Sequence, residues 1–417
     1  MKRFVALIAL ALAAPVSAQT LAITHAEAWT MDAPEPIRDA TIVIENGRIV
    51  SVTPAGPVPA DATVIDAAGR PVTPGLVNAA TQIGLVEVSA SEDTRDQTSK
   101  DDRNSGFDVS SALNGNSTLV SLARADGLTR ALIYPSPSRF PPFNGETSFA
   151  RLRDGPDIRD VNEVGVYAVI GGGEWDRLGS RAVQWSALRR ALAEARPDVG
   201  AGKGKGKKGK RGGPPIGKRA GELLIRAVLR GEVPLAIETD RETDIREAAG
   251  LAREFGIRVI IVGGAEAWRA ADVLAAAKIA VVLDPQANLP GNFDKLGARQ
   301  DNATLLVRAG VEVALGKVGD NIHSNYNAGL ALREGAGIAV ANGLTRYQAL
   351  RAVTVAPLNI WGRGGGTLTP GGDADLVLWD GDPLEPSSNA VKVIIEGREV
   401  SIRSRQDMLA ERYKDAR

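Results

Sequence analysis

The chain has 417 residues, in which 50 lysines and arginines balance 50 aspartates and glutamates, and it has no cysteine. A chain without cysteine has no disulfide bonds, no thiol nucleophile and no thiolate metal ligand. A formal net charge of zero argues against nucleic acid as a partner.

The first 18 residues have the pattern of a secretory signal peptide. Met1-Lys2-Arg3 precede an apolar run over residues 4–14, and Val16-Ser17-Ala18 forms a small-x-small cleavage site. The apolar run is too short to cross a bilayer, and no later segment has the roughly 18 consecutive apolar residues of a transmembrane helix. We therefore expect a periplasmic or secreted protein, cleaved after Ala18, with no transmembrane segment.

Both ends of the remaining chain show short runs typical of β-strands. An Asn46-Gly47 turn between two β-rich runs predicts a hairpin. Further strands are predicted at 374–379 and 391–395. We expect residues 19–73 and 366–405 to form one composite β-sandwich.

Residues 74–365 instead alternate short apolar runs with helical segments. Runs that are apolar on both faces are typical of buried parallel strands. Seven are visible, at 76–77, 128–134, 164–170, 233–237, 258–262, 279–283 and 311–315. Helical spacing is clearest at 244–254, 265–277, 302–309 and 346–355. The alternation predicts an α/β domain.

Residues 200–213 interrupt this domain with a segment rich in glycine and lysine. High charge and glycine content prevent burial, so we predict a disordered loop between two helices. It is not a phosphate-binding P-loop, because no Gly-Lys pair is followed by serine or threonine. A solvated linker and an anion-binding arm both stay open.

Several motifs, in this order and spacing, resemble the imidazolonepropionase-like branch of the amidohydrolase superfamily. They are Pro74-Gly75-Leu76, Gly127-Leu128-Thr129, residues 349–354 with Ala356-Pro357, and residues 366–377 with Gly381-Asp382-Pro383-Leu384. The resemblance covers about residues 21 to 400. It implies a TIM-type (β/α)8 barrel with the β-sandwich attached. It also implies hydrolysis of carbon–nitrogen bonds other than peptide bonds, such as those of cyclic amides.

The positions that hold metal-binding histidines in that family carry other residues here. Two of them correspond to Ala80 and Gln82 at the first barrel strand, and two more to Glu238 and Gly263. Alanine and glycine offer no ligand atom, and an amide is a poor ligand for zinc. The family's last ligand, an aspartate, matches Asp320 within a residue or two. We therefore expect the metal site to be lost and no cofactor to be bound.

Carboxylates provide an alternative to that loss. Glu238, Asp240, Asp320 and Glu174 could form an oxygen-ligand site for zinc or another divalent cation. In a purely structural interpretation, Glu238 and Asp240 pair with Arg241 or Arg177 at the pocket rim.

The mature chain has two histidines. We expect His25, on a sandwich strand, to have a structural role. His323 follows a strand end and should overhang the pocket, where a hydrogen-bonded loop histidine is the simpler interpretation.

Two functions therefore stay open. The chain is either a non-catalytic member that binds a small amide-like ligand, as a homo-oligomer or paired with an active amidohydrolase, or a hydrolase with a rebuilt carboxylate site. Asp320 and Glu238 are then the candidate catalytic residues. In both cases the substituted positions should converge at one barrel mouth, with Glu174, Asp240 and His323 in the pocket.

Overall fold

The computed structural model describes residues 20–88, 91–98, 106–136, 142–196, 216–287, 289–319 and 322–414. Three predicted features lie outside these residues: the signal peptide at 1–18, the Gly/Lys loop at 200–213 and Asp320. Their roles therefore stay predictions. No helix in the described part is long and apolar enough to span a bilayer.

The described residues form two sheets and a set of helices. The strands in chain order are β1 (Thr20–Ala28), β2 (Ile37–Glu45), β3 (Arg48–Pro54), β4 (Thr63–Asp66), β5 (Pro71–Pro74), β6 (Leu76–Thr81), β7 (Leu128–Ile133), β8 (Gly145–Arg151), β9 (Arg159–Val169), β10 (Leu235–Thr239), β11 (Val259–Gly263), β12 (Ala280–Leu283), β13 (Val313–Leu315), β14 (Leu376–Trp379), β15 (Ala390–Ile395) and β16 (Arg398–Val400). The α-helices are α1 (Thr118–Ala125), α2 (Trp175–Leu178), α3 (Arg181–Ala195), α4 (Ile216–Leu229), α5 (Glu242–Phe255), α6 (Ala271–Ala276), α7 (Asn302–Arg308), α8 (Ile322–Tyr326), α9 (Leu330–Ala341), α10 (Arg346–Ala352), α11 (Val355–Ile360) and α12 (Arg405–Arg412).

One sheet is built from both ends of the chain. Its strand order is β16-β15-β14-β5-β1-β2-β3, and β4 also pairs with β1. The predicted hairpin joins β2 to β3, and Asn46 and Gly47 have φ angles of 50° and 76°. Positive φ at both central residues matches the twist of the flanking strands. The sheet has its own core, which includes Ile23, Ile42 and Leu376.

The second sheet forms the barrel, in the order β13-β12-β11-β10-β9-β8-β7-β6. All seven strands predicted from apolar runs are present. The eighth, β8, is antiparallel to both β7 and β9. Strand β13 approaches β6 to nearly close the barrel, and a Cβ atom at Gly316 would lie only 2.8 Å from the backbone nitrogen of Ala80. The predicted barrel with a β domain made from both chain ends is confirmed.

Apolar side chains fill the inside of the barrel. Alternate residues of the strands point inward, and they join α11 and the residue after it in one buried cluster. The Trp361 indole nitrogen donates to the carbonyl of Ala79 at 3.3 Å. Because the barrel interior is packed, the chemistry of the barrel depends on the carboxyl ends of its strands.

Buried arginines join the barrel to the terminal sheet. Arg130 on β7 pairs with Asp375 at 2.7 Å, and Arg151 on β8 pairs with Asp373 at 2.7 Å and with Glu396 at 2.6 Å. Burial raises the pKa of Asp375 to about 6, although Arg151 opposes the shift. These ion pairs fix the sheet against the barrel strands.

The predicted helices at 244–254, 265–277, 302–309 and 346–355 correspond to helical segments of the structure. The last of them is divided at Thr354 into α10 and α11. Thr345 caps α10 and Gln348 completes a capping box, which fixes where this helix begins.

Candidate functional site

The four positions to which the family resemblance assigns metal-binding histidines belong to strands whose carboxyl ends share one edge of the barrel. Ala80 lies in β6, Gln82 follows it directly, Glu238 lies in β10 and Gly263 ends β11. Strands β10 and β11 are parallel and pair in register at these positions. His323 lies in α8, but its side chain is outside the described part of the structure.

Gln82 makes structural contacts at the end of β6. Its Nε2 atom donates to Ser136 Oγ at 2.8 Å and to the Tyr134 carbonyl at 3.4 Å. Its backbone N–H donates to Asn325 Oδ1 at 3.2 Å. The side chain is fully buried. Gln82 therefore connects β6 to the segment after β7.

Ala80 lies where the first and last barrel strands meet. Asn78 Oδ1 accepts hydrogen bonds from the backbone N–H groups of Ala80, at 3.2 Å, and Lys317, at 3.1 Å. Ala80 is fully buried, and Gly316 lies against its backbone. A larger side chain at position 80 would have to displace this junction.

Two stacked tyrosines occupy the barrel interior between Gln82 and Glu238. The ring centroids of Tyr134 and Tyr167 are 4.6 Å apart, and both residues are buried. The Tyr167 hydroxyl donates to Glu238 Oε2 at 2.7 Å, and the Tyr134 hydroxyl accepts from the Gly319 N–H at 2.8 Å. This pair was not predicted from the sequence, although both tyrosines lie in predicted strands. Alternate side chains of a barrel strand point inward, and this pattern could have identified both tyrosines as interior residues.

The carboxylates around Glu238 have partners other than those predicted. Asp240 lies 3.5 Å from Lys295 Nζ and accepts from the Ala265 N–H at 3.1 Å. Glu238 is bonded to Tyr167. The predicted pairing of Glu238 and Asp240 with Arg241 or Arg177 is therefore wrong. Arg177 pairs instead with the neighbouring Glu174, at 2.9 Å, because the two lie one helical turn apart.

Burial raises the pKa of Glu238, and its hydrogen bond to Tyr167 partly opposes this effect. Burial likewise raises the pKa of Asp240 and of Glu174, opposed by Lys295 and Arg177 respectively. Burial, followed by the nearby Glu238, raises the pKa of Tyr167 well above its usual value. The mouth therefore favours the neutral form of its acidic side chains.

Gly263 has a backbone that requires glycine. Its φ angle is 90°, and a Cβ atom would lie 2.9 Å from Asp240 Oδ1. A histidine at this position would strain the backbone and collide with the carboxylate. The absence of a side chain at Gly263 therefore allows the Asp240 carboxylate to lie close to the end of β11.

The segments after β12 and β13 cover the mouth with ion pairs. Lys317 Nζ lies 2.9 Å from Asp284 Oδ2 and 3.1 Å from Gln286 Oε1. Asp294, next to Lys295, pairs with Arg181 and accepts from the Gly172 N–H at 2.8 Å. Lys317 therefore pairs with Asp284, while Lys295 is the ammonium group beside Asp240.

The described residues do not fit a zinc ion. Positions 80 and 263 have no side-chain ligand atom, the Gln82 amide contacts Ser136, and Glu238 is bonded to Tyr167. Among the described residues, no group of three or more His, Cys, Asp or Glu side chains is placed to hold a metal ion. Asp320 is not among them, so the rebuilt site that includes it stays a prediction.

The remaining histidine, His25, lies on β1 in the terminal sheet. Its Nδ1 atom is 3.0 Å from Asp66 Oδ1, and both side chains are exposed. It belongs to the sheet rather than to the barrel mouth, so it contributes no ligand atom to this site.

Comparison with known proteins gives a family and a fold. Residues 224–401 match the model of the amidohydrolase family. No curated protein matches the chain. The structure is similar to that of an amidohydrolase from Thermotoga maritima MSB8, with a TM-score of 0.80 and 24% identity over 92% of this chain and 100% of that one. The family match covers the C-terminal part of the chain, and the solved structure shares its fold over nearly the whole length, so the chain is similar to the amidohydrolases in both respects.

Two further solved structures share the fold at lower similarity. A zinc-bound adenosine deaminase from Xanthomonas campestris has a TM-score of 0.53 and 17% identity, over 95% of this chain and 98% of that one. The β-aspartyl dipeptidase of Fervidobacterium islandicum has a TM-score of 0.56 and 15% identity, over 91% and 96%. At these identities the likeness concerns the fold alone.

Proposed function

We propose that this protein binds a small amide-like ligand at the barrel mouth and does not carry out metal-dependent hydrolysis. One observation supports this most directly. Each of the four substituted positions takes part in a local contact: Ala80 with Gly316, Gln82 with Ser136, Glu238 with Tyr167 and Gly263 with Asp240. The mouth is thus organised around hydrogen bonds and packing.

The energetics of hydrolysis support the same proposal. A bound zinc ion lowers the pKa of water from about 15.7 to about 7, which corresponds to about 12 kcal/mol of activation. A positioned general base contributes about 10²–10⁴-fold, or roughly 3–5 kcal/mol. Carboxylates acting as bases therefore cannot continue the family reaction unchanged.

A hydrolase with a rebuilt site is the second candidate function. Glu238 is a partly buried carboxyl group whose pKa is raised and whose position is fixed by Tyr167. Such a group can act as a general acid or base. If Asp320 joined Glu238 and Asp240, the three could hold a divalent cation.

The deciding experiment is a metal analysis of protein purified without chelators or affinity tags. We expect well under one equivalent of zinc, and no hydrolysis of cyclic amides or N-acyl amino acids after zinc is added. Glu238→Ala and Asp320→Ala variants should then leave the zinc content unchanged. Stoichiometric zinc, lost together with activity in either variant, would establish the rebuilt hydrolase instead.

Export and assembly are further parts of the proposal. The signal-peptide pattern at residues 1–18 supports transport to the periplasm or the medium. Mass spectrometry of the mature protein should find Gln19 as its first residue, and an intact Met1 would contradict export. Size-exclusion chromatography with light scattering, with and without an active amidohydrolase from the same cell, tests self-association and pairing.

A further inference from the structure

Three buried carboxamide side chains lie on the β6–β8 side of the barrel mouth. Gln82 and Gln97 are fully buried, and Asn144 is 1% exposed. Gln82 Oε1, both amide atoms of Gln97 and Asn144 Nδ2 have no hydrogen-bond partner within the described structure. An unmatched buried polar group destabilises the folded protein, so three residues with unmatched groups at one end of the barrel need an explanation.

The three residues are linked through common neighbours. Ser136 Oγ accepts from Gln82, and the Ser136 N–H donates to the carbonyl of Gln97 at 2.8 Å. The N–H of Asn144 donates to the carbonyl of Tyr167, also at 2.8 Å. The ring of Tyr167 stacks on Tyr134, whose carbonyl accepts from Gln82. The three residues are therefore linked to one another around the end of β7, next to the tyrosine pair.

Another buried glutamine shows that the protein itself can satisfy such a group. Gln184 is 1% exposed, and its Oε1 atom accepts from the Gly171 N–H at 3.0 Å. Its Nε2 atom donates to the carbonyls of Gly171, at 3.0 Å, and Gly179, at 2.9 Å. A buried amide in this protein can thus be fully hydrogen-bonded by the protein itself. Gln97 has the same burial without these partners.

The unmatched atoms define the chemistry of a ligand. Gln82 Oε1 and Gln97 Oε1 are acceptors, whereas Gln97 Nε2 and Asn144 Nδ2 are donors. A primary carboxamide supplies two donor hydrogens and a carbonyl oxygen with two lone pairs, and two neighbouring hydroxyl groups supply the same set. None of the three residues carries a charge, so a carboxylate would gain no ion pair from them and would lose its hydration.

We propose that Gln82, Gln97 and Asn144 form a recognition subsite for an uncharged polar group that both donates and accepts hydrogen bonds. This inference rests on the proposed function, because it assigns ligand selection to that same mouth. Gln97 and Asn144 are the specificity-determining residues, and neither lies at a position that the family resemblance singled out. The subsite selects against ligands that place a negative charge there.

Three small probes test the subsite on the full mature protein. Propionamide, the nearly isosteric anion propionate, and glycerol are compared by saturation-transfer NMR and thermal shift. We expect propionamide or glycerol to bind, and propionate to bind at least about tenfold more weakly. The carboxylate of propionate cannot donate a hydrogen bond to the subsite, and a tenfold change in Kd corresponds to about 1.4 kcal/mol. Preferential binding of propionamide identifies a carboxamide ligand, and preferential binding of glycerol identifies a hydroxyl-bearing one.

Variants assign the binding to the named residues. Gln97→Met and Asn144→Leu should each weaken the preferred probe about tenfold while keeping the melting temperature near the parent value, because they remove unmatched polar groups. The matched control Gln184→Met removes a fully bonded amide. It should lower the melting temperature but leave probe binding in the folded protein unchanged. Two independent variants keep the test valid if one of them fails to fold.

The outcomes separate this inference from the proposed function. Zinc-free, inactive protein that binds neither propionamide nor glycerol would overturn the subsite alone. Equal binding of propionate and propionamide would also overturn it, as would probe binding that Gln97→Met and Asn144→Leu leave unchanged. Stoichiometric zinc with hydrolysis would overturn the proposed function, while the probe series would still decide whether the subsite exists.

Discussion

The hydroxyl of Tyr167 donates a 2.7 Å hydrogen bond to Glu238 Oε2. Tyr167 is fully buried, and Glu238 lies at a position to which the family resemblance assigns a histidine. A side chain that could have faced a metal ion instead satisfies a buried hydroxyl group. The hydrogen bond also orients the carboxylate relative to the tyrosine stack. The pair therefore contributes to the stability of the fold and to the pKa of Glu238.

Tyr167→Phe should destabilise the protein by about 1–3 kcal/mol, because it leaves the Glu238 carboxyl group without its donor while the ring stack is kept. The same change should raise the pKa of Glu238 further, since Tyr167 lowers it. Urea denaturation measures the first effect, and NMR titration of the labelled carboxyl carbon measures the second. Tyr326→Phe is the control, because that hydroxyl is at the exposed surface and only accepts from Gln406. Equal effects of both changes would contradict a specific role for Tyr167.

Gly263→Ala should destabilise the protein by about 1–3 kcal/mol, because alanine at a φ of 90° is strained and its Cβ atom would approach Asp240. Gly250→Ala is the matched control, since Gly250 lies inside α5 with open space at its Cβ position. That change should stabilise the helix by about 0.5–1 kcal/mol. Thermal denaturation of both variants measures the difference, and a neutral Gly263→Ala would show that the position tolerates a side chain.

Glu146→Gln should change how stability depends on pH. Burial, then Asp108 and Glu163, raise the pKa of Glu146 from 4.5 to about 7. The unfolded carboxyl group ionises first as the pH rises, so the folded state loses stability between about pH 4.5 and about pH 7 and is most favoured below that window. The variant should therefore be more stable than the parent at pH 8, by an amount on the order of 2–3 kcal/mol, and close to it at pH 4.5. A difference in melting temperature that is the same at both pH values would refute this assignment.

Arg151→Leu should cost about 1–3 kcal/mol, because it removes one of the two buried arginines, Arg151 and Arg130, that pair with Asp373 between barrel and sheet. Arg230→Leu removes an exposed arginine that pairs with Glu232, and it should destabilise the protein much less. Denaturant titration of both variants provides the comparison. If the two costs were equal, the ion pairs at the joint would contribute no more than surface pairs.

The sequence by itself determined the architecture of this protein. Uninterrupted apolar runs such as 259–262 identify buried parallel strands, because such strands are covered on both faces. Asn46-Gly47 fixed a hairpin through its local backbone preference. Strand β8 was missed because Gly145–Arg151 includes Glu146, Thr147 and Ser148, which interrupt the apolar pattern. Its pairing with β7 and β9 depends on residues that are distant in the sequence.

The sequence also led to the prediction that the ligand residues of the family are replaced, since a resemblance between motifs needs no coordinates. Only the tertiary structure decided what the replacements do. The bond between Tyr167 and Glu238 joins residues 71 positions apart, and Gln82 meets Ser136 across 54 positions. Such contacts follow from the closure of the barrel rather than from local propensity. For the same physical reason, the unmatched amides of Gln97 and Asn144 became visible only once burial and every neighbouring donor and acceptor were known.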